Sequence, residues 1–164
     1  MKIAPLPVGE GWGEGQVIFK REANMEKQIL PGLKITFLLH ALVALVIGIG
    51  LYLIPETVAA WVNWTPVDVT MARFYGAAIL ALGLSSWFGY RAVHWDHVRI
   101  VVEMEIAFTV LGILAGLYEV LFAGAPAFAW VSILIWLIFA AAFTYFYRAD
   151  EAALSTPLST PKSA

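Results

Sequence analysis

The sequence predicts an all-α membrane protein, a bundle of four transmembrane helices with both termini in the cytoplasm. Three observations carry that expectation. Of the 164 residues, 61% are apolar and only 13% charged, with a mean hydropathy of +0.80; a soluble domain runs at about 45–50% and about 25%. Four apolar runs each approach the ~20 helical residues that cross a hydrocarbon core. Nine of the ten Lys and Arg residues fall on one side of the resulting topology, Arg73 being the exception. Basic residues collect on the cytoplasmic side, and an even number of spans keeps the two termini together there.

The first span covers residues 35–54, interrupted only by Thr36 and His40. Pro55 stops it, because proline cannot continue the helical ladder. The second covers residues 66–90. Thr65, Pro66 and Asp68 there suit an N-cap, a first-position proline and an acid in the first turn. The third covers residues 98–122 with Gly124 as its C-terminal cap. The fourth covers residues 126–147 and leaves the membrane through Tyr145, Phe146, Tyr147 and Arg148, an aromatic and basic belt. None of the four shows the dyad alternation of a barrel strand. Between the first two spans, residues 56–64 suit a short helix lying on the membrane, with Trp61 and Trp64 as interfacial anchors.

The transmembrane domain thus occupies residues 34–148, between two tails. Residues 1–33 form a flexible cytoplasmic N-terminal segment whose Gly- and Pro-rich stretch at 5–15 cannot build a core. That stretch resembles the translated intergenic repeats found at mis-assigned bacterial gene starts, which makes Met25 a candidate for the true start. Residues 149–164, with two Ser-Thr-Pro units, form a disordered cytoplasmic C-terminal tail.

Several function classes drop out. The chain has no cysteine, hence no disulfide, thiolate metal site or iron–sulfur cluster. A net charge of −2 gives nucleic acid no basic footprint. His94, Asp96, His97 and Glu103 include suitable metal ligands at irregular spacing; Arg99 and Glu103, at i and i+4, more simply form a surface pair. With only one histidine deep in a span, haem held by this chain alone is not expected. No metal and no cofactor is expected.

The informative residues are the polar ones inside the spans, because ionisable groups at membrane depth seek partners or line cavities. At about 100° per residue, Glu105, Thr109, Gly112, Gly116 and Glu119 share one stripe of the third helix, which is expected to face the bundle. Gly112, Gly116 and Thr109 serve as packing positions there. Depth suggests two buried pairs. Arg73 and Glu119 lie at the outer ends of adjacent antiparallel helices and are expected to form an ion pair. His40 lies six residues past Lys34 and Glu105 six past Arg99, so they match in depth. Their contact reads as an interhelical hydrogen bond or as a proton relay.

The span closed by Pro55, the Arg73-x-x-Gly76-Ala77 opening of the second span and Leu80 to Gly83 (LALG) resemble small bacterial four-helix membrane families, DoxX-like proteins and their relatives, over about residues 34–147. That resemblance implies a compact four-helix bundle in a bacterial plasma (inner) membrane, without an established reaction. No convergent catalytic set is visible, so the expected role is an accessory or structural subunit in a larger membrane complex. Its partners would be the lipid bilayer and either other membrane subunits or further copies of itself. The alternative is a stand-alone carrier or sensor of a lipid, quinone or proton that uses His40, Glu105, Arg73 and Glu119. A membrane enzyme ranks last.

Overall fold

The computed structural model describes residues 28–154, which are helical apart from short connections. The expectations for the N-terminal stretch, the start at Met25 and the final Ser-Thr-Pro units lie outside those residues. In order, the elements are α1 (Pro31–Leu53), α2 (Pro55–Trp61), α3 (Val69–Arg91), a 3-10 turn (Trp95–His97), α4 (Arg99–Phe122) and α5 (Phe128–Leu154). Four of them, α1, α3, α4 and α5, are long and apolar enough to cross a membrane.

The boundaries differ from the expected ones for local reasons. Helix α1 begins at Pro31, where a missing N–H is harmless in the first turn. Residues 31–33 therefore belong to the bundle and not to a tail. Pro55 ends one helix and opens the next, the seven-residue α2. Helix α3 starts three residues later than Pro66, because Asp68 is the true N-cap: its Oδ1 accepts from the Met71 amide at 3.0 Å. The Thr65–Pro66 bond ahead of it is cis. At the end of α4, Gly124 adopts a φ of +72°. This turns the Ala125 amide back onto the Glu119 carbonyl at 3.1 Å. Helix α5 begins at Phe128 and continues past Tyr147 to Leu154. Its last turns are held by Trp95, whose indole N–H donates to Glu151 at 3.1 Å, and by Arg99, 3.4 Å from the same carboxylate.

Two tight antiparallel pairs make up the bundle, α1 with α3 and α4 with α5. Glycines set both approaches. A Cβ on Gly76 would stand 2.8 Å from the Tyr52 amide nitrogen and 3.0 Å from the Gly48 carbonyl, both α1 backbone. A Cβ on Gly112 would meet the Trp136 ring of α5 at 2.9 Å, and one on Gly116 would meet Ile133 at 2.8 Å.

The pairs join at the end that carries the start of α1 and the end of α5. There Ile29, Leu33, Phe37, Trp95, Val98, Val102, Phe139 and Phe143 form the buried apolar core. The Ile29 amide bonds the Val93 carbonyl at 3.0 Å, tying the entry of the first helix to the α3–α4 connection. Toward the opposite end the packing thins, and beyond Thr109 no residue of α4 is buried.

Candidate functional site

Where the four long helices meet, each contributes to one buried cluster. Helix α1 supplies His40, on the same face as Thr36, Phe37, Ala44 and Gly48, all of which are buried. Helix α3 supplies Ser86, three residues past the Gly83 that packs on Ala44. Helix α4 supplies Glu105, and α5 supplies Phe139 and Phe143. Their rings stand edge-on to the His40 imidazole at centroid distances of 4.7 and 5.7 Å.

Ser86 is the hinge of the arrangement. Its Oγ lies 2.8 Å from His40 Nδ1 and 2.8 Å from Glu105 Oε1, whereas the imidazole and carboxyl are 3.5 Å apart. A second hydroxyl, on Ser85, reaches Glu105 Oε1 at 3.4 Å while donating to the Leu82 carbonyl at 2.8 Å. Ser86 and Glu105 have no solvent-accessible surface, and His40 retains 8%. Glu105 Oε2 is buried without a hydrogen-bond partner among the described residues. Thr109, also fully buried, bonds the Glu105 carbonyl at 2.7 Å and so stays on its own helix.

A serine hydroxyl has one proton to donate, so this geometry admits two complete hydrogen-bond arrangements. In one, His40 Nδ1–H donates to Ser86 and Ser86 donates to a Glu105 carboxylate. In the other, protonated Glu105 donates to Ser86 and Ser86 donates to a bare His40 Nδ1. If Nε2 carries a proton in both, neither arrangement has net charge. Moving two protons one step each converts one into the other. The order is Glu–Ser–His with the hydroxyl in the middle, unlike a nucleophilic triad in which histidine lies between serine and acid. Fully buried, Ser86 offers no oxygen to a substrate.

The sequence-singled residues divide. His40 and Glu105 are brought together. Gly112 and Gly116 face α5 and accept Trp136 and Ile133. Arg73 and Glu119, expected to pair, do not: among the described residues no ion pair joins them, and both are exposed. The reason is that α3 packs along α1 and α4 along α5, and the two pairs separate at the end where these charges lie. Ser85 and Ser86 escaped the sequence reading, because a hydroxyl in a helix is unremarkable. The signal available was the spacing of Gly76, Gly83 and Ser86 on one face.

Near the other end of α4, Arg99 contacts Glu103 at 3.2 Å, and Tyr147 donates to the same carboxylate at 3.0 Å. The His94 and His97 rings lie edge to face at 5.7 Å. No set of three or more His, Cys, Asp or Glu residues suited to a metal occurs among the described residues. At the end of the bundle away from the start of α1, an open cleft of about 380 Å³ lies between Trp61, Val62 and Asn63 on one side and Pro126, Ala127, Phe128 and Val131 on the other. It contains no ionisable side chain.

A scan against protein-family models found no match, and searches of curated proteins and of solved structures likewise found none.

Proposed function

We propose that this chain is an integral protein of a bacterial plasma membrane, termini in the cytoplasm, that binds and shares a proton at His40–Ser86–Glu105. In this reading the proton's position sets how the two helix pairs grip each other. The observation that carries it is the Ser86 hydroxyl, equidistant at 2.8 Å from a basic and an acidic group contributed by two other helices. Isolated hydrogen bonds would hold helices equally well with neutral partners. Pairing an imidazole with a carboxyl through one hydroxyl adds a protonation equilibrium to the joint.

A sensor fits better than a conduit. His40 is the only member of the trio with residual exposure, and the chain of donors ends at Glu105, whose second oxygen has no onward partner among the described residues. The orientation rests on Lys34, Arg91, Arg99 and Arg148, which lie at the end of the bundle where α1 starts and α5 ends, against Arg73 alone at the other end among the described residues.

The second reading is the accessory subunit, favoured by the breadth of apolar surface turned outward, including Phe74, Leu111, Leu121 and Phe122. There the trio is a static clasp. Infrared difference spectroscopy of the protein in lipid vesicles, titrated over about pH 4 to pH 8, separates the two. A carboxyl carbonyl band that titrates, vanishes in Glu105→Gln and shifts in Ser86→Ala supports proton sharing. A folded protein with no titrating band that depends on Glu105 refutes it and leaves the clasp.

A further inference from the structure

Arg73 and Glu119 are charged, exposed and without an ion-pair partner among the described residues, yet each lies within a span. Arg73 is four residues in from the start of α3 and Glu119 three in from the end of α4. These positions are about 6 Å and about 4.5 Å from the same end of the bundle. Opposite charges therefore occupy one layer, on helices of different pairs.

Each charge ends a row of exposed residues spaced four apart: Arg73, Ala77 and Ala81 on α3, and Ala107, Leu111, Ala115 and Glu119 on α4. The glycine faces of both helices are already occupied, Gly76 and Gly83 by α1, Gly112 and Gly116 by α5, and Glu119 lies exposed at the edge of the latter face, toward which the α4 row winds. The α3 row cannot turn to the α4 of its own chain. With Gly76 set at zero, the row runs from roughly +60° to roughly +140°, whereas Ser86, which meets Glu105, lies near roughly −80°.

We infer that a second copy of this chain covers these rows, the α3 row of one protomer lying against the α4 row of its partner. Helices α3 and α4 run antiparallel, so copies inserted the same way up present the rows in matching order. Arg73 then faces the acid, Ala77 and Ala115 meet, and Ala81 meets Leu111. Rows of i±4 spacing interdigitate at a crossing angle of about −50°, and alanines at the crossing let the backbones close in. Charge complementarity chooses the occupant: one row ends in a cation, the other in an anion, at equal depth. The inference stands independently of proton sharing.

The absence of cysteine makes the test direct. Full-length chains carrying Ala77→Cys or Ala115→Cys, differently tagged and co-expressed, are oxidised mildly in native membranes. The expected result is a mixed disulfide that forms well above either same-site product and above a control with Val46→Cys, an exposed position on α1. In lipid nanodiscs, Arg73→Glu and Glu119→Arg should each weaken self-association about tenfold, and the two together should restore it. Mixed disulfides no more abundant than the Val46→Cys control overturn the inference. So does a monomer, or a charge exchange that restores nothing.

Discussion

Removing the Ser86 hydroxyl tests whether the cluster is a joint or an ornament. Ser86→Ala deletes two 2.8 Å hydrogen bonds and leaves His40 Nδ1 and Glu105 Oε1 facing each other across 3.5 Å. Glu105 keeps only the 3.4 Å contact from Ser85, its Oε2 having no partner among the described residues. Interhelical hydrogen bonds in membranes average about 0.6 kcal/mol and reach about 1.7. Two of them at that average, with a buried carboxyl left short of donors at about 1–3 kcal/mol, give an expected loss of about 2–4 kcal/mol. Ser85→Ala removes a bond within its own helix and a long contact, so its loss should stay below about 0.5 kcal/mol. Reversible unfolding in mixed micelles of lipid and denaturing detergent measures both. Equal losses for the two serines would refute the reasoning, as would a neutral Ser86→Ala. A double-mutant cycle with Glu105→Gln should show coupling of about 0.5 kcal/mol or more for Ser86 and none for Ser85.

Other substitutions sort by what the added or lost atoms meet. Gly76→Ala drives a methyl against α1 backbone and should cost about 1–3 kcal/mol. Gly50→Ala meets only a Val58 methyl at 3.1 Å and should be neutral or slightly stabilising in the same unfolding assay. Gly112→Leu should destabilise by about 1–3 kcal/mol by displacing Trp136, and adding Trp136→Ala should recover part of that loss. Trp95→Phe removes the indole donor to Glu151 and should cost about 0.5–1.5 kcal/mol. Arg99→Ala, at an exposed network, should leave the unfolding midpoint unchanged at high salt.

The spans were legible because length and apolarity act residue by residue, without knowledge of neighbours. Helix ends were less so: Thr65-Pro66 matched a capping pattern, but the carboxylate of Asp68 made the cap. Depth along the membrane could be read from distances to flanking basic residues, and it put His40 level with Glu105. Rotation and partner choice could not be read that way. Arg73 and Glu119 share a layer as well, but the glycines turn α3 onto α1 and α4 onto α5, leaving the two charges on different outer faces. Ser86 was invisible for another reason. A serine in a helix carries little energetic signature until a second helix brings an acid within 3 Å of it.

The position of the apolar core implies an order of assembly in the membrane. Helices α1 and α3 close on each other through Gly48, Gly76 and Gly83, all present once residue 91 has been inserted. The core itself waits for Phe139 and Phe143, near the end of the last span. A nascent chain that has delivered α4 but not α5 would therefore hold Glu105 beside Ser86 with no aromatic cover over His40. The His40 imidazole would remain open on that side until the last span has packed. Chains released after residue 127 and full-length chains would then differ sharply in the reactivity of His40 toward a histidine-modifying reagent.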